Sequence, residues 1–202
     1  MRNEKLSLLQ SISAYVPGFI VRQVVADPGV SLAGREERME AALLFADVSG
    51  FTAMSESLAR MGKEGAEELT RVLNDYFTTM IDLVRSYGGQ VIKFGGDAIT
   101  CAFTEKPGFS RKRRRFCFAR SGKTGFLGVV QRACACALAM QERMEDFQAV
   151  ETGGGVFELR MKIGISAGPV LFMSVGDPQK GLEYVLAGRP LDRMAEAEHH
   201  AT

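Results

Sequence analysis

Histidine is nearly missing from this 202-residue chain, and its two copies, His199 and His200, sit side by side near the end. They read as surface sequence at a fraying helix end and not as metal ligands. Cysteine is sparse too: Cys101, Cys117, Cys134 and Cys136 show no paired spacing of a zinc site. Cys134 and Cys136 flank one alanine in a helical stretch, so their side chains point to different faces. The expected state is reduced and mostly buried. Charge of one sign is lacking as well. Twenty-five basic residues against twenty-four acidic leave a formal charge of +1, which removes a whole-protein field drawing the chain to nucleic acid or membrane. No apolar run approaches the length of a membrane span, and Arg2, Glu4 and Lys5 interrupt any signal-peptide core, so a cytoplasmic location is expected. No internal repeat or low-complexity tract is evident.

What is present suits one soluble domain, since 46% hydrophobic content over this length can bury a sizeable core. Residues 1–38 read as a lead-in that docks on it, with a short amphipathic start at Leu6, Leu9 and Ile12. Ala41 to Ala46 is an unbroken apolar run, as in a strand buried on both faces. From Ala66, apolar residues at Leu69, Val72, Leu73, Tyr76, Phe77, Met80, Ile81 and Val84 keep a helical period over about five turns. Gly88-Gly89 caps that helix. Gln90–Phe94 and Ala98–Phe103 then form a hairpin around Gly95-Gly96.

Residues 105–130 read as an insertion carrying five consecutive cations, Arg111 to Arg115. Ala133–Met144 is a second helix. Phe157–Ser166 and Val170–Val175 are expected as two strands separated by Ala167-Gly168-Pro169, followed by a strand at Gly181–Ala187 and a helix from Pro190. This order gives an α+β, ferredoxin-like, palm-like fold: an antiparallel sheet with helices packed on one face. The domain would run over 39–202 and continue past Thr202.

Two motifs carry chemistry. In FADVSGFT, Phe45 to Thr52, and in KFGGDA, Lys93 to Ala98, an aspartate stands where a strand meets a glycine-containing turn. Alone, Asp47 reads as a strand-ending helix cap. Paired with Asp97 through the hairpin topology, it becomes half of a carboxylate site suited to two Mg²⁺ ions and a nucleoside triphosphate. Gly50, Phe51 and Thr52 then offer backbone N–H groups to phosphate at a helix N-terminus.

These residues resemble the class III nucleotide cyclases, and more narrowly the first cyclase domain of the bicarbonate-responsive soluble adenylyl cyclases, which carry two such domains in tandem. The resemblance runs from about Ala41 to about His199. It implies that Asp47, Asp97 and the backbone carbonyl of Val48 hold two Mg²⁺ or Mn²⁺ ions. It also implies that ATP becomes cyclic AMP and pyrophosphate at an interface with a second cyclase domain.

Measured from Gly188, the family's adenine-reading position falls at Val185, its ribose-orienting asparagine at Asp192 and its phosphate-binding arginine at Glu196. None of the three matches. Valine accepts no hydrogen bond and glutamate repels phosphate. Lys93 does match the family's base-reading lysine, whose equivalent in the degenerate half of soluble cyclases lines a bicarbonate pseudo-site. The further arginine of that site would fall near Ala195. The expectation is a metal-binding half that needs a partner, with a ligand-binding pseudo-cyclase as the rival.

Other features carry less. Ser121-Gly122-Lys123-Thr124 imitates the end of a phosphate loop, but Cys117 stands where that motif needs glycine. Gly95-Gly96-Asp97 resembles the diguanylate-cyclase signature, but Ala98-Ile99 departs from it. Gly153-Gly154-Gly155 is a turn before a strand. The ten methionines read as core packing.

Overall fold

The computed structural model describes residues 16, 18–105 and 125–201. In chain order the elements are α1 (Gly18–Ala26), β1 (Glu36–Ser49), α2 (Phe51–Ala59), α3 (Lys63–Ser86), β2 (Gln90–Gly95), β3 (Ala98–Thr104) and α4 (Phe126–Arg143). A 3₁₀ turn (Met144–Phe147) leads to β4 (Val150–Thr152), β5 (Gly155–Phe157), β6 (Arg160–Asp177), β7 (Gly181–Ala187) and α5 (Arg189–His199). The cation run Arg111–Arg115, the Ser121–Thr124 motif, Cys117 and the start at Leu6–Ile12 lie outside the described residues.

Five strands make one sheet in the order β2-β3-β1-β6-β7, with every pair antiparallel, and β4 and β5 form a separate small hairpin. The apolar run in β1 is central, as its composition requires. Its even-numbered residues Ala42, Leu44, Ala46 and Val48 face one core with Ile99, Cys101 and Phe103 of β3, under α2, α3 and α4. The stripe on α3 buries Val72, Tyr76, Met80 and Val84. A fully buried Leu or Phe in such a core contributes about 1.5–3 kcal/mol. The α3 C-terminus closes as a Schellman motif: Gly88, at φ +75°, donates to Arg85 O, and Gly89 N–H donates to Val84 O.

The α+β, antiparallel, palm-like architecture is the expected one, but the helices are not confined to one face of the sheet: α2, α3 and α4 share a face, while α1 and α5 cover the other. The opposite face carries a smaller core. There Ala41 and Leu43 of β1 meet Ala102, Val170 and Phe172, with Ile20 of α1 and Met194 of α5 above them. Gly164 allows α5 this close, because a Cβ there would collide with the backbone of Met194 and Glu198.

Three further sequence expectations change. The two strands expected around Ala167-Gly168-Pro169 are one strand, β6, which stays in register with β1 from Glu36↔Met173 to Ser49↔Arg160. Pro169 is tolerated because β7 pairing stops at Leu171, so β6 has a strand neighbour on one side only there. Phe157 belongs to β5 and not to that strand. Finally, α4 starts at Phe126, inside the stretch read as insertion, because Val129, Ala133, Cys136 and Met140 form one buried stripe. Of the described cysteines, Cys101 and Cys136 are buried and Cys134 is exposed, all as free thiols.

Arg132 locks this frame at the far end from the aspartates. Its guanidinium donates to the carbonyls of Tyr87 (3.1 Å), Gly88 (3.2 Å) and Thr104 (2.6 Å), tying the end of α3 to the end of β3.

Candidate active site

Asp47 stands near the C-terminal end of β1, with its strand neighbour Val48 buried and Ser49 and Gly50 exposed. Gly50 turns the chain into α2 at φ +93°, and a Cβ there would run into the carbonyl oxygen of Glu158. Only glycine fits both demands. No side chain caps α2, so the N–H groups of its first turn, at Phe51 and Thr52, are free of side-chain partners within that cap.

Asp97 lies in the two-residue turn of the β2–β3 hairpin, after Gly96 at φ +69°. Because β3 pairs with β1, the hairpin tip comes to the same end of the sheet as Asp47. The two carboxylates are close enough to interact. Partial burial pushes the Asp47 carboxyl above its ordinary 3.8, and the negative charges of Asp97 and Glu198 push it further the same way. A backbone hydrogen bond from Val48 and the cation of Lys162 pull it down.

The topology does not gather every candidate. Lys93, exposed on edge strand β2, follows a bulge between Val91 and Lys93. Val185 is on β7, at the opposite edge of the sheet, and is 37% exposed. Asp192 and Glu196 are exposed on α5, away from its buried Met194. The positive charge acting on Asp47 is that of Lys162, its cross-strand neighbour.

Three residues at this site escaped sequence reasoning. Lys162 alternates with buried Met161 along β6, which would have placed it on the other face, but its pairing with Asp47 is visible only in the register. Glu198 approaches through the packing of α5 on Gly164. Tyr76, read only as part of the α3 stripe, borders a cavity that Asp97 also lines, together with Val48, Phe51, Val72 and Leu159. The cavity offers ≈ 10 Å³ of space for water centres. Tyr76 is 3% exposed, and its hydroxyl is the buried side-chain polar atom without a hydrogen-bond partner among the described residues.

The donor set fits hard divalent cations. Among the described residues, no group of three or more His, Cys, Asp or Glu gathers as a self-sufficient metal site. Two repelling carboxylates beside free backbone donors instead suit Mg²⁺, which usually takes one or two carboxylates and completes its shell with water and substrate phosphates.

A palm-like antiparallel sheet with paired aspartates at one end is an arrangement suited to nucleotidyl chemistry. Residues 34–195 match the family model described as the adenylate and guanylate cyclase catalytic domain, and the chain belongs to that family. Adenylate cyclase 1 of Rhizobium meliloti (strain 1021) is 27% identical over 187 residues, which is 92% of this chain and 24% of that protein. Adenylate cyclase type 10 of Rattus norvegicus is 28% identical over 192 residues, 94% of this chain and 10% of that protein. The chain therefore spans a quarter or less of the length of these curated relatives.

Among solved structures, the adenylyl cyclase CyaB from P. aeruginosa superposes with a TM-score of 0.62 at 22% identity, covering 83% of this chain and 75% of that one. A guanylyl cyclase crystal structure gives 0.59 at 29% identity, covering 84% and 73%. No described helix is long and apolar enough to cross a membrane.

Proposed function

We propose that this chain is the metal-binding half of a class III adenylate cyclase, converting ATP to cyclic AMP and pyrophosphate at an interface with a second cyclase domain. It corresponds in this reading to the first of two tandem cyclase domains and works in the cytoplasm. One observation carries the reading. Asp47 and Asp97 converge from motifs far apart in sequence, while the positions for base, ribose and phosphate recognition hold Val185, Asp192 and Glu196.

Asp47, Asp97 and the Val48 carbonyl would hold two divalent ions. Such ions supply Lewis-acid activation of the ribose 3′-hydroxyl and offset charge on the departing pyrophosphate. The chain's own groups do the rest on this side. Backbone N–H groups at Gly50, Phe51 and Thr52 meet phosphate oxygens at the positive end of α2. Lys162, one strand away from Asp47, adds a mobile cation for the same polyphosphate. Adenine contacts and stabilisation of the α-phosphate transition state come from the partner domain.

The test is a mixing assay. Cyclic AMP production from Mn²⁺-ATP is measured for this chain with a second cyclase domain that carries lysine, asparagine and arginine at the family positions. Activity that appears on mixing and disappears with Asp97→Ala in this chain supports the proposal. Silence on mixing, with the two domains shown to associate, favours the second reading: a pseudo-cyclase that binds nucleotide or bicarbonate through Lys93 and regulates its neighbour. The chemistry of Val185, Asp192 and Glu196 keeps that reading in play.

A further inference from the structure

A buried hydroxyl without a partner costs free energy that phenylalanine at the same position would avoid, so its presence calls for a physical account. Tyr76 is in this situation. Its ring is well placed, edge-on to Phe147 at 5.7 Å and to Phe77 at 5.1 Å, and packing alone would be served by a phenyl group. The hydroxyl is left unpartnered beside a cavity walled by otherwise apolar side chains and by Asp97. The cavity's ≈ 10 Å³ of space for water centres matches about one water molecule, and two polar groups on its wall give that water partners.

We propose that the Tyr76 hydroxyl, through a single water in this cavity, holds the Asp97 carboxylate in the orientation that binds a divalent cation. Tyr76 is then a positioning residue acting through Asp97. The hairpin that carries Asp97 turns at Gly96, which has no atom within 4 Å of its Cβ position. Burial together with Asp97, Cys101 and Asp47 pushes the Tyr76 phenol above its ordinary 10.0, so the hydroxyl keeps its proton and remains a donor. Outer partners of metal ligands commonly control affinity in this way.

The inference rests on the reading of Asp47 and Asp97 as metal ligands. It is tested by titrating the purified chain with Mn²⁺ alone, following loss of the free-ion electron paramagnetic resonance signal, alongside thermal melting of the metal-free protein. Tyr76→Phe is expected to weaken Mn²⁺ binding by about tenfold, while the metal-free variant melts at the same temperature or higher. In an Asp97→Asn background, Tyr76→Phe should have no further effect on Mn²⁺. Binding that is lost in Asp97→Asn but unchanged in Tyr76→Phe would overturn this proposal alone. Binding retained in Asp97→Asn would overturn the metal reading and this proposal with it.

Discussion

Replacing Gly50 by alanine puts the site's scaffold under direct test, because the glycine is required twice. Its backbone sits at φ +93°, and its missing side chain leaves room for the Glu158 carbonyl, just ahead of Leu159 in the core. The conformation alone costs an L-residue about 1–2 kcal/mol. Forcing a methyl group against backbone that cannot swing aside adds about 1–3 kcal/mol. The sum is about 2–5 kcal/mol, and in a chain of this size each kcal/mol lowers the melting temperature by roughly 2–4 °C.

Gly34 supplies the control. It has φ +71° with nothing within 4 Å of its Cβ position, so Gly34→Ala meets the conformational cost without the collision. Circular dichroism melting of metal-free protein should show Gly50→Ala falling well beyond Gly34→Ala. Equal losses in the two variants would refute the argument that contact with Glu158 dictates the glycine and fixes the start of α2 beside Asp47.

Other consequences are measurable in the same protein. The folded-state pKa of Asp47 is raised, so the native state binds its proton more readily than the unfolded chain does. The associated stability is present below 3.8 and lost as pH rises through the folded value. Asp47→Asn should therefore stabilise the metal-free chain at neutral pH in urea unfolding, with the gain shrinking as pH falls toward 3.8. Arg132→Met removes the donor to three carbonyls at the junction of α3 and β3, and urea unfolding should show a loss of about 2–4 kcal/mol. The combined Val185→Asp, Asp192→Asn and Glu196→Arg variant should give the chain Mn²⁺-dependent cyclic AMP production as a homodimer. A folded, dimeric triple variant without activity would count against the assignment of those three positions.

The parts of the fold legible in sequence were those with a local physical signature. The α3 stripe from Leu69 to Val84, the apolar run of β1 and the Gly88-Gly89 cap each announce themselves within a few residues. Asp47 and Asp97 were legible as a pair because each stands within three residues of a glycine that marks a turn. What stayed hidden depends on long-range register. Pro169 reads as a break until it is known that the pairing of β6 with β7 stops at Leu171. Lys162 and Glu198 meet Asp47 only through strand pairing and through α5 seating on Gly164. Tyr76 is indistinguishable from its apolar neighbours on α3 until its hydroxyl is found without a partner.

The central claim is that this chain holds the catalytic aspartates but lacks the groups that complete a cyclase site. Its most direct test is the rate of cyclic AMP formation from Mn²⁺-ATP by the pure, folded chain alone, compared with the Asp47→Ala variant. The account predicts a rate at background in both. Robust turnover by the unmodified chain, abolished by Asp47→Ala, would contradict it.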